Sequence, residues 1–187
     1  MQSYDYVTYE DFGRRFFEVA VTEDRVGAAF ATIAGDEFEM APIGQGPGKI
    51  AKVSARVKIQ QAEVTRRIGD TITFDIHIPL AIDLLVDLRL DKQRFRVDGD
   101  VALRATARAA EPLLLIVDVE KPRPSDITVH VSSKSIRGEV LRIVADVDGE
   151  IRRFIAHFVG DEIDSPQSQA AQVIDVAEQL DYTWKRI

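Results

Sequence analysis

Three histidines, His77, His130 and His157, and two short clusters are the residues from which this chain would have to build chemistry. There is no cysteine, so disulfides, thiolate catalysis and Cys-based zinc sites are excluded. No two histidines stand i, i+4 apart, the spacing that puts a metal-binding pair on one helix face. His77 and His130 occupy polar positions of alternating segments, which makes exposure their default. His157 adjoins Phe158 in a helical stretch and reads as a packed or rim residue. Ser132, Ser133 and Ser135 lie near His130, and a serine–histidine–acid set can assemble from distant parts of a chain. There is no Gly-x-Ser-x-Gly elbow to present the nucleophile.

The first cluster, Gly44-Gln-Gly-Pro-Gly-Lys49, invites a phosphate-loop reading. Walker spacing would need glycine where Ile43 stands and Ser or Thr where Ile50 stands. The segment also leads into a strand, so no helix N-terminus faces a phosphate. A plain turn fits better. The second cluster, Asp146-Val-Asp-Gly-Glu150, resembles part of a calcium loop. In that register the first ligand would be Val144 and the last Ile155, neither of use to a hard cation. Its carboxylates read as the solvated face of a helix. No catalytic residue, metal site or cofactor is expected.

The elements that would position any site are better defined. Every even-numbered residue from Ile72 to Leu90 is apolar, a period of two held over nineteen residues. A half-buried strand reads this way, and at about 3.3 Å per residue it would reach about 60 Å. The parity survives Pro79, which predicts one strand bent there, since proline belongs at edges, bends or bulges. After Leu90 the inward set becomes odd: Phe95, Val97, Val101, Leu103, Ala105 and Ala107. The switch predicts a hairpin at 91–94. Its register pairs Leu90 with Phe95, Leu88 with Val97, Leu84 with Val101 and Ile82 with Leu103. Unchanged parity across Asp98-Gly99 makes Gly99 a bend or bulge within a strand, facing Val86, rather than a hairpin tip.

Around this pair, residues 49–59 alternate cleanly, Gln60 to Asp70 forms a weaker segment ending in a Gly69-Asp70 turn, and Leu113 to Val119 and Ile127 to Val131 complete the sheet. Lys121-Pro-Arg-Pro124 is a rigid connector. Before the sheet, Thr8 caps a helix with Phe12, Phe16, Val19 and Ala20 on its apolar face. Thr22 caps a second helix, with Val26, Ala29, Phe30 and Ile33, which Gly35 stops. Asp36 to Gly48 reads as irregular. From Ser133 the period becomes 3.6: Ile136, Val140, Val144, Val147, Ile151, Ile155 and Phe158 form one stripe. Ser165-Pro166 restarts a last helix carrying Ala170, Val173, Ile174, Ala177, Leu180 and Trp184.

The expected fold is therefore α+β: a long, highly curved antiparallel sheet wrapped on a long C-terminal amphipathic helix, with short N-terminal helices. A single domain is expected over 1–187, with N-terminal helices in 8–35, the sheet in 49–131 and C-terminal helices in 133–186. Charge narrows the partners. With 24 Lys and Arg against 31 Asp and Glu, the net charge is −7, which argues against nucleic acid and anionic membrane. There is no signal-peptide pattern and no apolar run long enough to span a bilayer, so a soluble cytoplasmic protein is expected, with transient membrane contact left open.

The order of elements from Thr8 to Ile163, and the lengths of Ile72–Leu90, Phe95–Ala107 and Ile136–Phe158, resemble the tubular lipid-binding (TULIP) superfamily. That superfamily includes bactericidal/permeability-increasing protein and SMP domains. The resemblance rests on no residue motif. It implies lipid binding in a tunnel between helix and sheet, often in dimers; the missing signal peptide departs from the secreted members.

The function expected is binding or transport of a lipid, fatty-acyl or other apolar ligand between sheet and helix. The lining would be Ile76, Ile78, Leu80, Ile82, Leu84, Val101, Leu103 and Ala105 from the sheet, with Val140, Val144, Val147, Ile151 and Ile155 from the helix. Small inward residues (Ala51, Ala55, Gly99, Ala105, Ala107) favour a hollow. The alternatives are a hydrolase or thioesterase on a hotdog or START-like fold, and a non-catalytic structural dimer with a solid core. Long edge strands favour a homodimer in any case.

Overall fold

The computed structural model describes residues 4–45, 51–130 and 138–184. Residues 46–50 of the glycine-rich loop, Val131, the serines at 132, 133 and 135, and Ile136 lie outside them, as does the side chain of Val140. The chain runs α1 (Tyr9–Ala20), α2 (Glu23–Ala31), β1 (Glu37–Gln45), β2 (Ala51–Ile59), β3 (Glu63–Ile68), β4 (Ile72–Asp87), β5 (Lys92–Ala110), β6 (Leu114–Val119), a 3-10 turn at Pro124–Asp126 and β7 (Ile127–His130). It ends with α3 (Gly138–Ile163), α4 (Pro166–Gln172), β8 (Val173–Asp175) and α5 (Val176–Trp184). This is the expected α+β fold, a strongly curled antiparallel sheet with a long C-terminal helix.

The spine is the β4–β5 hairpin. β4 has 16 residues and β5 has 19, so they extend about 53 and 63 Å. Along β4 the even-numbered residues are buried and the odd ones half-buried or exposed without a slip, as the alternation requires. Each long strand has two short partners on its outer side. β2 pairs with Leu80–Asp87 and β3 with Ile72–His77 of β4. β7 pairs with Asp98–Val101 and β6 with Ala105–Ala110 of β5. Pro79 sits at the seam between β2 and β3, where its carbonyl accepts from the Gln60 N–H. No ladder on that side needs the N–H that proline lacks.

The hairpin differs from the expected one. Its odd-sum pairing is right, but Asp87 pairs with Lys92, Leu84 with Phe95 and Ile82 with Val97, so each partner lies six residues earlier in β5 than predicted. The loop is Leu88–Asp91, not 91–94. Asp87 accepts the Arg89 N–H at 3.0 Å, Arg89 takes the left-handed φ of 67°, and the Leu88 N–H closes on the Asp91 carbonyl at 2.8 Å. An aspartate bonding the N–H two residues on is a turn signal, and it overrides the apolar pattern. Leu90 keeps the pattern yet is 101% exposed. Gly99 is inside β5, not at a tip, but it pairs with Leu80 and Val129 rather than Val86.

Three other expectations change. Asp36 to Gly48 is not irregular throughout, because Glu37–Gln45 forms β1 on β2, with a register slip between Met40 and Ile43 around Ala41-Pro42. That slip hides the alternation of Phe38 and Met40. The last helix is broken: Val173–Asp175 pairs with Leu114–Ile116 as β8, the free edge of β6 capturing it. On α1, Phe12 is 61% and Val19 71% exposed. Phe16, Phe17 and Ala20 do the packing instead, because α1 is anchored by its C-terminal end.

The caps form as expected: Thr8 accepts from the Asp11 N–H, Thr22 from Arg25 and Ser165 from Ser168. Gly35 takes φ 97° after α2. The outward face of the sheet carries cross-strand ion pairs, among them Arg56–Glu39, Arg96–Asp83 and Arg108–Asp118.

Two predictions follow from the spine. A Cβ on Gly99 would stand 3.1 Å from Ile82 Cδ1 and 3.2 Å from the Thr128 carbonyl oxygen. The carbonyl belongs to a paired strand and cannot easily retreat. Gly99→Ala is therefore expected to destabilise the fold by about 1–3 kcal/mol, read as a lower urea midpoint. The Asp87 carboxyl is held below its ordinary range, first by the Arg89 N–H and then by Lys92. A lowered folded value means the stabilisation is present above the unfolded value and is lost as pH falls through the folded one. Asp87→Ala should thus be less stable than wild type at neutral pH, with the difference closing as pH drops below about 4 in urea melts.

Candidate functional site

α3 contacts β1, β2, β7 and the 3-10 turn, so it fills the concave side at the hairpin half of the sheet. Val144, Val147, Ile151 and Ile155 are its fully buried stripe. Near the helix end Phe158 stacks on Phe38 of β1, ring centroids 3.8 Å apart and planes within 8°, and Phe154 lies 5.8 Å from the same ring. This ties the edge strand to the helix. Small inward residues are filled by large neighbours: Ala105 pairs with Phe74, Ala55 with Leu84, and Ile82 leans over Gly99.

At 26 residues α3 is about 39 Å long, shorter than either spine strand. Beyond its end the sheet is covered by α2, which packs on β3, and by α4 with β8, which pack on β6. Between them lies an apolar cavity of about 180 Å³. Its floor is Ile78, Leu80, Val101 and Leu103 of the spine, with Ile59 at the end of β2, beside the Pro79 seam. Leu115, Val117 and Val119 of β6 form one wall and Val26, Ala29, Phe30 and Ile33 of α2 and its tail another. Phe158, Val159 and Ile163 close the α3 side, and Ala171 and Ile174, both exposed, stand at the rim. The volume is close to that of a cavity that accepts a benzene-sized guest, about 150 Å³.

Of the expected lining, Ile78, Leu80, Val101 and Leu103 border this cavity. Ile76, Ile82, Leu84, Ala105, Val144, Val147, Ile151 and Ile155 are buried in the core away from it. None of the five small inward residues lines it. The apolar face of α2 was legible as Val26, Ala29, Phe30 and Ile33, but no periodic signal brought it together with β6 and α4, since they meet only through the curl of the sheet. A wider hollow of about 900 Å³ lies at the β1 bulge. It is the larger by volume, but Glu39, Arg56, Asp83 and Arg96 line it with ion pairs to one another, so it is a solvated trough and not an apolar pocket.

The α1–α2 corner over the cavity is held by two arginines. Arg66 of β3 donates from Nη1 to the Glu18 and Val21 carbonyls at 2.7 and 2.8 Å. Its backbone N–H donates to Glu23 Oε1 at 2.6 Å. Arg25 donates to the Val19 and Ala20 carbonyls at 3.3 and 2.7 Å. Together they satisfy α1's terminal carbonyls and place cations at the negative end of its dipole.

The histidines do not converge. His77 pairs with Asp100 at 2.9 Å and His157 with Asp161 at 3.3 Å, and His130 is exposed. Asp148 and Glu150 pair with Arg152 and Arg153 along α3, the solvated face that was expected. Among the described residues no group of acidic or histidine side chains could hold a metal ion, and no helix is long and apolar enough to cross a membrane.

No family model matches the sequence, and no curated protein matches it. Among solved structures, one that matches is a crystal structure of lipopolysaccharide binding protein. It has a TM-score of 0.45 and 13% identity over 86% of this chain and 39% of that one. This chain thus spans well under half the length of that protein, and a likeness of that size assigns no family.

Arg66→Met should remove the two carbonyl bonds while keeping the aliphatic stem. The expected result is faster hydrogen exchange confined to α1 and the start of α2, with the β4–β5 amides as protected as before.

Proposed function

We propose that this protein binds an apolar small molecule, or the apolar tail of a larger one, in the cavity between α2, the end of α3, α4 and the sheet. The observation that carries the reading is the hollow over the spine's buried face at Ile78, Leu80, Val101 and Leu103. There an all-apolar floor meets three apolar walls without being filled. Burial of apolar surface at about 25 cal/mol per Å² would drive uptake. The volume fits a ring or a short acyl segment and not a whole long-chain tail, because the α3 stripe is packed against the sheet. The lining holds no nucleophile paired with a base, which favours binding over hydrolysis.

The test is uptake of a neutral apolar fluorophore, N-phenyl-1-naphthylamine, with and without a cavity-filling substitution. Ala29 is exposed on α2 at the cavity wall, so Ala29→Trp should fill the space without disturbing the fold. Saturable fluorescence enhancement in the wild type, reduced at least about tenfold in affinity in Ala29→Trp by loss of the apolar contact area, is expected. No saturable enhancement, or enhancement equal in both, overturns the reading.

A further inference from the structure

The apolar cavity carries four polar side chains, Arg25, Glu162, Ser168 and Gln172. What each still offers a ligand depends on what it already holds. Arg25, on the α2 side, commits Nη1 to the Val19 and Ala20 carbonyls at the negative end of α1 and keeps its Nε and Nη2 donors. Gln172 Nε2 donates to the Ile163 carbonyl at 3.4 Å, leaving its Oε1 as an acceptor. Glu162 is half-buried in the last turn of α3. Among the described residues its carboxylate has no hydrogen-bond or ion-pair partner.

The lysine packed against the end of α3 does not answer it: Lys121, which lies against Gly160, is paired with Asp164. A carboxylate half withdrawn from water beside an apolar wall is short of donors. The free capacity on this side of the cavity is therefore weighted toward acceptors.

We infer that the ligand is an amphiphile with a cationic head, an alkylammonium, its tail in the cavity and its ammonium donating to Glu162. This rests on the cavity being the ligand site. An ammonium has three donors and no acceptor, which matches the Glu162 carboxylate and Gln172 Oε1. A fatty carboxylate would instead bring a second anion beside Glu162 in a site of reduced dielectric.

Three probes with one tail and different heads test it: octylammonium, octanol and octanoate, titrated into the full chain and followed by amide shifts at Leu103 and Val117. Octylammonium should bind on the order of tenfold tighter than octanol, the gain expected of one hydrogen bond to a charged group, with octanoate weakest. In Glu162→Gln the octylammonium affinity should fall to that of octanol while octanol binding is unchanged. Octanol binding at these residues, with octanoate as tight as octylammonium, overturns the head-group assignment and leaves the cavity reading standing. So does loss of octanol together with octylammonium in Glu162→Gln, which would make Glu162 a structural residue. Failure of all three probes to bind overturns the cavity reading itself, and the head-group assignment with it.

Discussion

The apolar face of the β4–β5 hairpin must be covered, and among the described residues no single element is long enough to cover it. The hairpin's strands extend about 53 and 63 Å, and β4 buries alternate side chains from Ile72 to Val86. One helix of about 39 Å seals the hairpin half by lying across β1, β2 and β7. The open half is left to α2, α4 and β8. Each of those is short, has few or no buried side chains of its own, and needs anchoring from outside. Arg66 and Arg25 hold the α1–α2 corner, and β6 holds β8.

The same constraint explains the pairing scheme. Each spine strand is too long for one short partner, so β2 and β3 share the edge of β4, and β7 and β6 share that of β5. Every sharing creates a seam, and Pro79 occupies one of them. On the outward face, Glu39, Arg56, Asp83 and Arg96 form a row across β1, β2, β4 and β5. Such exposed pairs add little stability. They do oppose slippage, since a one-residue shift would set the whole inward row facing water.

The cavity lies where two coverings stop short of each other, at the level of the Pro79 seam. It is a consequence of lengths, not of small side chains. Ala55, Gly99 and Ala105, which taken alone favour a hollow, are each matched by Leu84, Ile82 or Phe74 across the sheet. Where Ile78, Leu80, Val101 and Leu103 are all of ordinary size, the gap opens because the separate elements laid over them, α2, the end of α3 and α4, leave a space between one another.

The long alternation, the helix caps at Thr8, Thr22 and Ser165 and the α3 stripe were legible in the chain, because local periodicity and capping chemistry act over a few residues. So was the inward parity of β4 and β5, which made Gly99 a strand residue. Hairpin position was not, because Leu88 and Leu90 continue the apolar pattern past the point where Asp87 and Arg89 turn the chain. Neither was β1, its alternation broken by the Pro42 bulge, nor β8, where an unpaired sheet edge outcompeted helical spacing. Only the tertiary structure decided which inward residues are sealed and which face a cavity. That depends on where separate helices end when a curled sheet brings them together, and no local pattern records distances between elements far apart in the chain.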